Sequence, residues 1–273
     1  MLLPKGAFYF GTCKHDSVFQ SATSLFSHMA RKTARGDPSM NDNSCYHLTA
    51  FQRKGNNTMS SEEILKEIAA EVSTCTKCDL CKGRTHAVPG EGNPRAKLFF
   101  IGEGPGFYED KQGRPFVGPS GQLLAELLQS IGLKREDVFI TNVVKCRPPE
   151  NRDPLLPEIE ACNDYLDRQI AAIRPLVIVT LGRISMSKFF GGEKISAIHG
   201  RARKKDGYIC IPMFHPAAAL RTESYKVMLR EDFKKIPLVL AEAERLAAEA
   251  STKTAVPPAP TKKEEPPQQM SLF

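Results

Sequence analysis

Residues 97–106 read Lys97-Leu-Phe-Phe-Ile-Gly-Glu-Gly-Pro-Gly106. An apolar run over Lys97–Ile101 that a glycine halts predicts a buried strand emptying into a loop. The same signal recurs three times further on. Val138–Thr141 predicts a second strand, Leu176–Leu181 a third that Gly182 stops, and Tyr208–Met213 a fourth. Helical periods separate or flank them, at 62–73, Gly121–Ile131, Pro157–Ile173 and Leu229–Ala250. In the first of these, Ile64, Leu65, Ile68 and Val72 share one face. Apolar strands alternating with amphipathic helices predict an α/β fold, a parallel sheet covered on both sides. Such sheets bind ligands beyond the carboxyl ends of their strands. The chemistry is therefore expected at Gly102–Gly106, at Asn142, and at Phe214-His215-Pro216.

The wider composition agrees. The chain has 273 residues, 41% hydrophobic and 25% charged, which is ordinary for a globular protein and excludes disordered and collagenous classes. No apolar run reaches the roughly 18 residues of a membrane span, and no signal peptide opens the sequence. A cytoplasmic monomer with no membrane partner is expected. The net charge of +7 is misleading: residues 1–58 hold seven Lys/Arg against three Asp, and residues 251–273 three Lys against two Glu. That leaves 7 − 4 − 1, or +2, on residues 59–250. Residues 1–58 lack any sustained period and predict a flexible extension, either transit-peptide-like or upstream of a true start at Met59. Residues 59–250 form the expected domain. Residues 251–273 predict a Pro-rich linker and a short tail.

Eight cysteines occur, at 13, 45, 75, 78, 81, 146, 162 and 210. Without an export signal, metal ligation is a better reading than disulfides. Cys75, Cys78 and Cys81 begin like a ferredoxin run, but Thr85 stands where its fourth cysteine belongs. Other ligands must complete a four-thiolate site. Cys146 and Cys162 are separated by 15 residues, too far apart for an ordinary zinc knuckle. Cys210, inside the fourth strand, predicts a core residue, and Cys13 and Cys45 have no evident role.

Four ordered motifs then become recognisable: Gly102-Glu-Gly-Pro-Gly106, Gly113-Arg-Pro-Phe-Val-Gly118, Thr141-Asn-Val-Val-Lys-Cys-Arg-Pro-Pro149 and Met213-Phe-His-Pro216. With the cysteine pattern, they make roughly residues 62–247 resemble the type-four, iron–sulfur uracil-DNA glycosylases of bacteria and archaea. The resemblance implies a three-layer α/β/α sandwich around a four-stranded parallel sheet. It implies a [4Fe–4S] cluster on Cys75, Cys78, Cys146 and Cys162, with Cys81 left over. It also implies an enzyme of DNA repair that flips uracil out and hydrolyses the N-glycosidic bond.

That chemistry assigns roles. The Gly102–Gly106 loop, with Gly104 and Pro105, lets backbone approach the base. The resemblance makes Phe116 the ring that stacks on uracil. Asn142 offers one acceptor and one donor, matching the N3–H and O4 of uracil and mispairing with cytosine. Neutral His215 is expected to donate to O2 as negative charge gathers there. Glu103 is expected to position water, Glu109 to guard the pocket near C5, and Asn151 to serve as a second water-positioning residue. Exchanging Glu103 and Glu109 would violate nothing in the sequence. No lysine reads as a Schiff-base nucleophile, so strand cleavage is not expected.

Residues 183–207 carry seven cations against two acids. Within them Gly200–Gly207 predicts a loop whose Arg201, Arg203 and Lys204 grip DNA phosphates. Leu220 is expected to wedge into the gap left by the flipped nucleotide, and Arg221 to hold a phosphate. At the end of the chain, Gln269-Met-Ser-Leu-Phe273 resembles the pentapeptide by which bacterial repair proteins dock on a sliding clamp, with Gln269, Leu272 and Phe273 as anchors. Two other readings compete. One is an iron–sulfur redox sensor that binds DNA without catalysis. The other is a relative with broader deaminated-base activity, or one that traps abasic sugars covalently, for which His199 and Arg201 would be the signature.

Overall fold

The computed structural model describes residues 59–254. The expected extension at 1–58 and the tail anchors Gln269, Leu272 and Phe273 lie outside the described residues.

Six strands form one sheet: β1 (Glu91–Gly92), β2 (Leu98–Gly102), β3 (Phe139–Asn142), β4 (Val177–Leu181), β5 (Arg203–Lys205) and β6 (Tyr208–Met213). Their order across the sheet is β1-β3-β2-β4-β6-β5. The four central strands are parallel and are the four expected from sequence. Every residue of β2, β3 and β4 is buried, which explains why they read as continuous apolar runs. Alternate side chains feed two cores. Phe99, Ile101 and Ile178 join the core under helices Ser61–Thr74 and Leu156–Ile173. Leu98, Phe100 and Val179 join the core under helices Pro119–Ser130 and Glu223–Phe233. The result is three layers. Each face carries an aromatic stack on the sheet, Phe99 on Phe139 at 5.3 Å and Phe100 on Phe233 at 6.0 Å. Truncating either central ring to alanine removes about 3–5 kcal/mol.

Helix Ser61–Thr74 starts in a capping box, with Ser60 N–H donating to Glu63 at 2.7 Å and Glu63 N–H to Ser60 Oγ at 3.3 Å. Arg168 grips Glu71 through two hydrogen bonds of 2.6 and 2.7 Å, holding this helix against Leu156–Ile173. The cysteine segment that follows is thereby fixed in place.

Three expectations are corrected. The sheet has two further edge strands, both antiparallel. β1 is too short to show a period, and β5 is all cations, so neither has an apolar signature. The expected Gly200–Gly207 loop therefore contains a strand, which turns into β6 through Asp206 and Gly207, both at positive φ (49° and 86°). Finally, the expected helix Leu229–Ala250 is two helices, Glu223–Phe233 and Ile236–Thr254. Pro237 has no N–H for an internal helical bond and sits in the first turn of the second.

Candidate active site

The loops after β2, β3 and β6 meet at the carboxyl edge of the sheet. Gly102 and Asn142 are register partners there. A Cβ on Gly102 would stand 2.3 Å from Asn142 Oδ1 and 2.6 Å from Phe116 Cζ, so only glycine lets these three residues close together. Asn142 is 2% exposed, and its Oδ1 has no hydrogen-bond partner among the described residues. A buried acceptor left unpaired costs about 1–3 kcal/mol. That cost is recovered when a ligand brings an N–H to it.

Phe116 is buried in a left-handed conformation, φ 51°. Its backbone is caught from two sides. Arg135 donates to the carbonyls of Phe116 and Pro115 at 2.8 and 2.6 Å, and is itself paired with Glu91 at 2.6 Å. On the other side the helix at Gly121 comes so near that a Cβ would lie 1.8 Å from the Phe116 carbonyl oxygen. The strained backbone of Phe116 is therefore over-determined by its surroundings.

His215 caps helix Pro216–Arg221, its Nδ1 accepting from Ala217 N–H at 3.1 Å. This bond fixes the tautomer: the proton sits on Nε2. Desolvation by the surrounding protein lowers the imidazole pKa to about 4, against a smaller opposing pull from Glu109, so it is neutral at pH 7. Its ring stacks beside Phe116 with centroids 5.7 Å apart.

The carboxylates separate into two kinds. Glu109 accepts from the N–H groups of Gly106, Val117 and Gly118 at 3.1, 2.9 and 2.9 Å. It braces the two loops that frame the pocket, a role its expected duty at C5 did not anticipate. Glu103 is raised to about 7, first by burial and then by Asp153, with Arg183 opposing. Asp153 is ion-paired to Arg183. Gly104 packs against Val144 and Pro148, and Pro105 is buried. Asn151 is exposed at φ 55°, its amide oxygen taken by Arg147 at 2.8 Å, so the structure uses it as a turn partner.

A pocket is lined by Cys75, Cys78, Cys81, Cys146 and Cys162 with Lys145, Arg84 and Tyr165. Donors already point at sulfur: Arg84 at Cys146 (3.1 Å), Lys145 N–H at Cys162 (3.3 Å) and Lys77 N–H at Cys75 (3.5 Å). Burial pushes the Cys162 thiol up to about 11 and raises Cys146 as well. Thiolates are thus disfavoured here unless a cationic group joins them. Among the described residues no three His, Cys, Asp or Glu side chains are placed to hold a metal ion. The five cysteines line one pocket. Cys81 lines it with the others. Cys210 is wholly buried in β6, the core position expected.

Lys145 stands between Asn142 and the cysteine pocket and was not singled out from sequence. Its ammonium is buried and donates to Thr141 Oγ1 (2.6 Å), the Asn142 carbonyl (2.8 Å) and Gln169 Oε1 (2.8 Å). Gln169 also donates to the Pro89 carbonyl at 2.7 Å. Its place beside Cys146 was the only available signal.

The expected DNA contacts divide. Arg201 is exposed and follows Gly200, whose N–H bonds the Pro212 carbonyl near the site edge. Arg203 is paired with Glu193 at 2.8 Å, and Lys204 pairs in register with Ile209, four residues back from the end of β6. Leu220 is 47% exposed and Arg221 is exposed beside it. His199 is held by buried Asp232 at 2.6 Å, which also binds Lys235 at 2.7 Å.

An unpaired amide oxygen, a neutral imidazole and a buried aromatic ring lie together at one sheet edge. The family model of the uracil DNA glycosylase superfamily matches residues 89–237, and the chain belongs to that superfamily. Within it the chain is similar to a type-4 uracil-DNA glycosylase of Sulfurisphaera tokodaii, 53% identical over 63% of this chain and 83% of that protein. The type-4 enzyme of Archaeoglobus fulgidus is 48% identical over 64% and 92%, and that of Thermotoga maritima 47% identical over 64% and 93%. No helix among the described residues is long and apolar enough to cross a membrane.

Proposed function

We propose that the chain removes uracil from DNA by hydrolysing the N1–C1′ bond, leaving an abasic site. The observation that carries this reading is the unpaired Asn142 Oδ1 beside an Nε2-protonated His215. Uracil N3–H donates to Asn142 Oδ1 while the Asn142 amide donates to O4. His215 Nε2–H donates to O2 as the bonding pair leaves with N1. Water adds to C1′, and its proton passes to the Glu103–Asp153 carboxylate pair. Cytosine presents the inverse pattern to Asn142 and is rejected.

Cys75, Cys78, Cys146 and Cys162 would hold a [4Fe–4S] cluster, a fit supported by the shared pocket and the donors aimed at sulfur. When bound, it supplies a covalent tie between the segment after helix Ser61–Thr74 and the segment after β3. No step of base release is routed through it. Arg201 and Arg221 would contact phosphates and Leu220 would fill the space left by the base.

The test is base release from single- and double-stranded oligonucleotides carrying one uracil, thymine or hypoxanthine, with Asn142→Ala in parallel. Alkali-labile product at uracil alone, lost in the variant, is expected. DNA binding with no abasic product at any base would overturn the reading.

A further inference from the structure

Phe107 and Tyr108 follow the glycine-rich loop directly and take no part in reading the base. Phe107 is the only phenylalanine among the described residues that is not buried; it is 49% exposed, and Tyr108 is 52% exposed. Their rings meet edge to face at 5.5 Å. Phe107 carries two cations at its ring, the Arg147 guanidinium at 5.3 Å and Lys111 Nζ at 5.9 Å from the centroid. Tyr108 leans on the Phe116 loop, its Cδ2 lying 3.0 Å from where a Cβ on Gly118 would stand. Arg147 comes from the segment after β3. The patch therefore joins the segments after β2 and β3 and touches the Phe116 loop.

Leaving about half of each side chain in water forgoes roughly half of the about 1.5–3 kcal/mol that full burial would give. The short helix that bears them is no mobile flap, because Glu109 pins its start to Gly106 and to Val117–Gly118. Rigid exposed rings with cations beside them match a nucleotide: a π-face for the base and positive charge for its phosphates. A purely apolar partner would leave both cations without an anion.

We propose that Phe107 and Tyr108 form a stacking subsite for the nucleobase that flanks the flipped uracil on the same strand, with Arg147 and Lys111 facing its phosphates. This rests on the uracil-release reading above. The subsite makes the enzyme sensitive to whether the neighbouring nucleotide has a base at all.

The experiment uses the full chain and single-stranded oligonucleotides with one uracil, whose 5′ or 3′ neighbour is either deoxyadenosine or a base-less tetrahydrofuran spacer. The quantity read is the ratio of kcat/KM for the two neighbours, compared between the wild type, Phe107→Ala/Tyr108→Ala and Phe107→Leu/Tyr108→Leu. Because each ratio is internal to one protein, a general loss of activity cancels. Wild type should favour adenine about tenfold on one side, the size of one base–aromatic stack. Both double variants should bring that ratio close to one. A wild-type ratio near one on both sides, or an unchanged ratio in the variants, would overturn the subsite. Anisotropy titrations of the same oligonucleotides with 2′-fluoro-deoxyuridine in place of deoxyuridine report the same ratio as Kd. If no uracil is released from any substrate, the proposed reaction falls, and the Kd ratios still decide the subsite.

Discussion

The imidazole of His215 lies within 27° of parallel to the ring of Phe116. A base stacked flat on Phe116 would therefore lie close to parallel with the imidazole. In the proposed reaction, stacking and charge stabilisation would be set by one pair of rings. His215→Gln or His215→Ala should lower kcat about a hundredfold to a thousandfold, with a smaller change in KM, because the bond strengthens only as charge leaves the sugar. Steady-state kinetics on a uracil oligonucleotide check this.

The same histidine predicts a pH dependence of stability. Its pKa falls from 6.5 to about 4 on folding, so the unfolded chain binds more protons between those values. The stabilisation is complete above pH 6.5 and is lost as the pH falls towards 4. Urea unfolding across this window should show a shallower acid decline in His215→Gln than in the wild type.

Glu103 has the opposite sign. Its carboxyl rises from 4.5 to about 7, so its contribution to stability is complete below pH 4.5 and is lost as the pH rises through about 7. Glu103→Gln should therefore be more stable than the wild type at pH 8. If the carboxylate pair accepts the proton from water, kcat should climb through an apparent pKa near 7 that belongs to the pair. That limb should be absent from the variant's pH–rate profile.

Asn142→Ala removes the unpaired acceptor together with base recognition. Thermal melts should show the variant unchanged or stabilised by about 1 kcal/mol, while uracil release is lost. Gly102→Ala acts the other way. Its Cβ would collide with both Asn142 and Phe116, so it should cost about 1–3 kcal/mol and abolish release. A tolerated Gly102→Ala would show that these three residues need not be in contact.

If the cysteines hold the proposed cluster, removing its iron by chelation should lower the Tm, because whatever binds only the folded chain stabilises it. Cys162→Ser should reproduce that loss, with reduced iron content and visible absorbance.

The parallel strands were legible because burial on both faces writes them as unbroken apolar runs, Leu98–Gly102 and Val177–Leu181 above all. Asn142 and His215 could then be placed by their position after a strand alone. β5 stayed hidden because Arg203-Lys-Lys205 is an edge whose side chains meet solvent and Glu193, and charge runs carry no period. Glu109 shows a different limit. Its sequence position fits a pocket residue, yet three backbone donors from two loops converge on it, and such convergence exists only in three dimensions. Lys145 was opaque for the same reason, since its acceptors come from β3 and from helix Leu156–Ile173.

Residues 142–146 have no slack. Lys145 gives its N–H to the sulfur of Cys162 and its ammonium to the carbonyl of Asn142, so the base reader and the cysteine pocket share one rigid splint. An engineer who grafts the Asn142 loop onto another sheet must bring Gln169 and Pro89 with it. Conversely, a variant selected for new base preference at Asn142 inherits a constraint from the far side of the splint, and its library should sample Lys145 and Gln169 together with the reader.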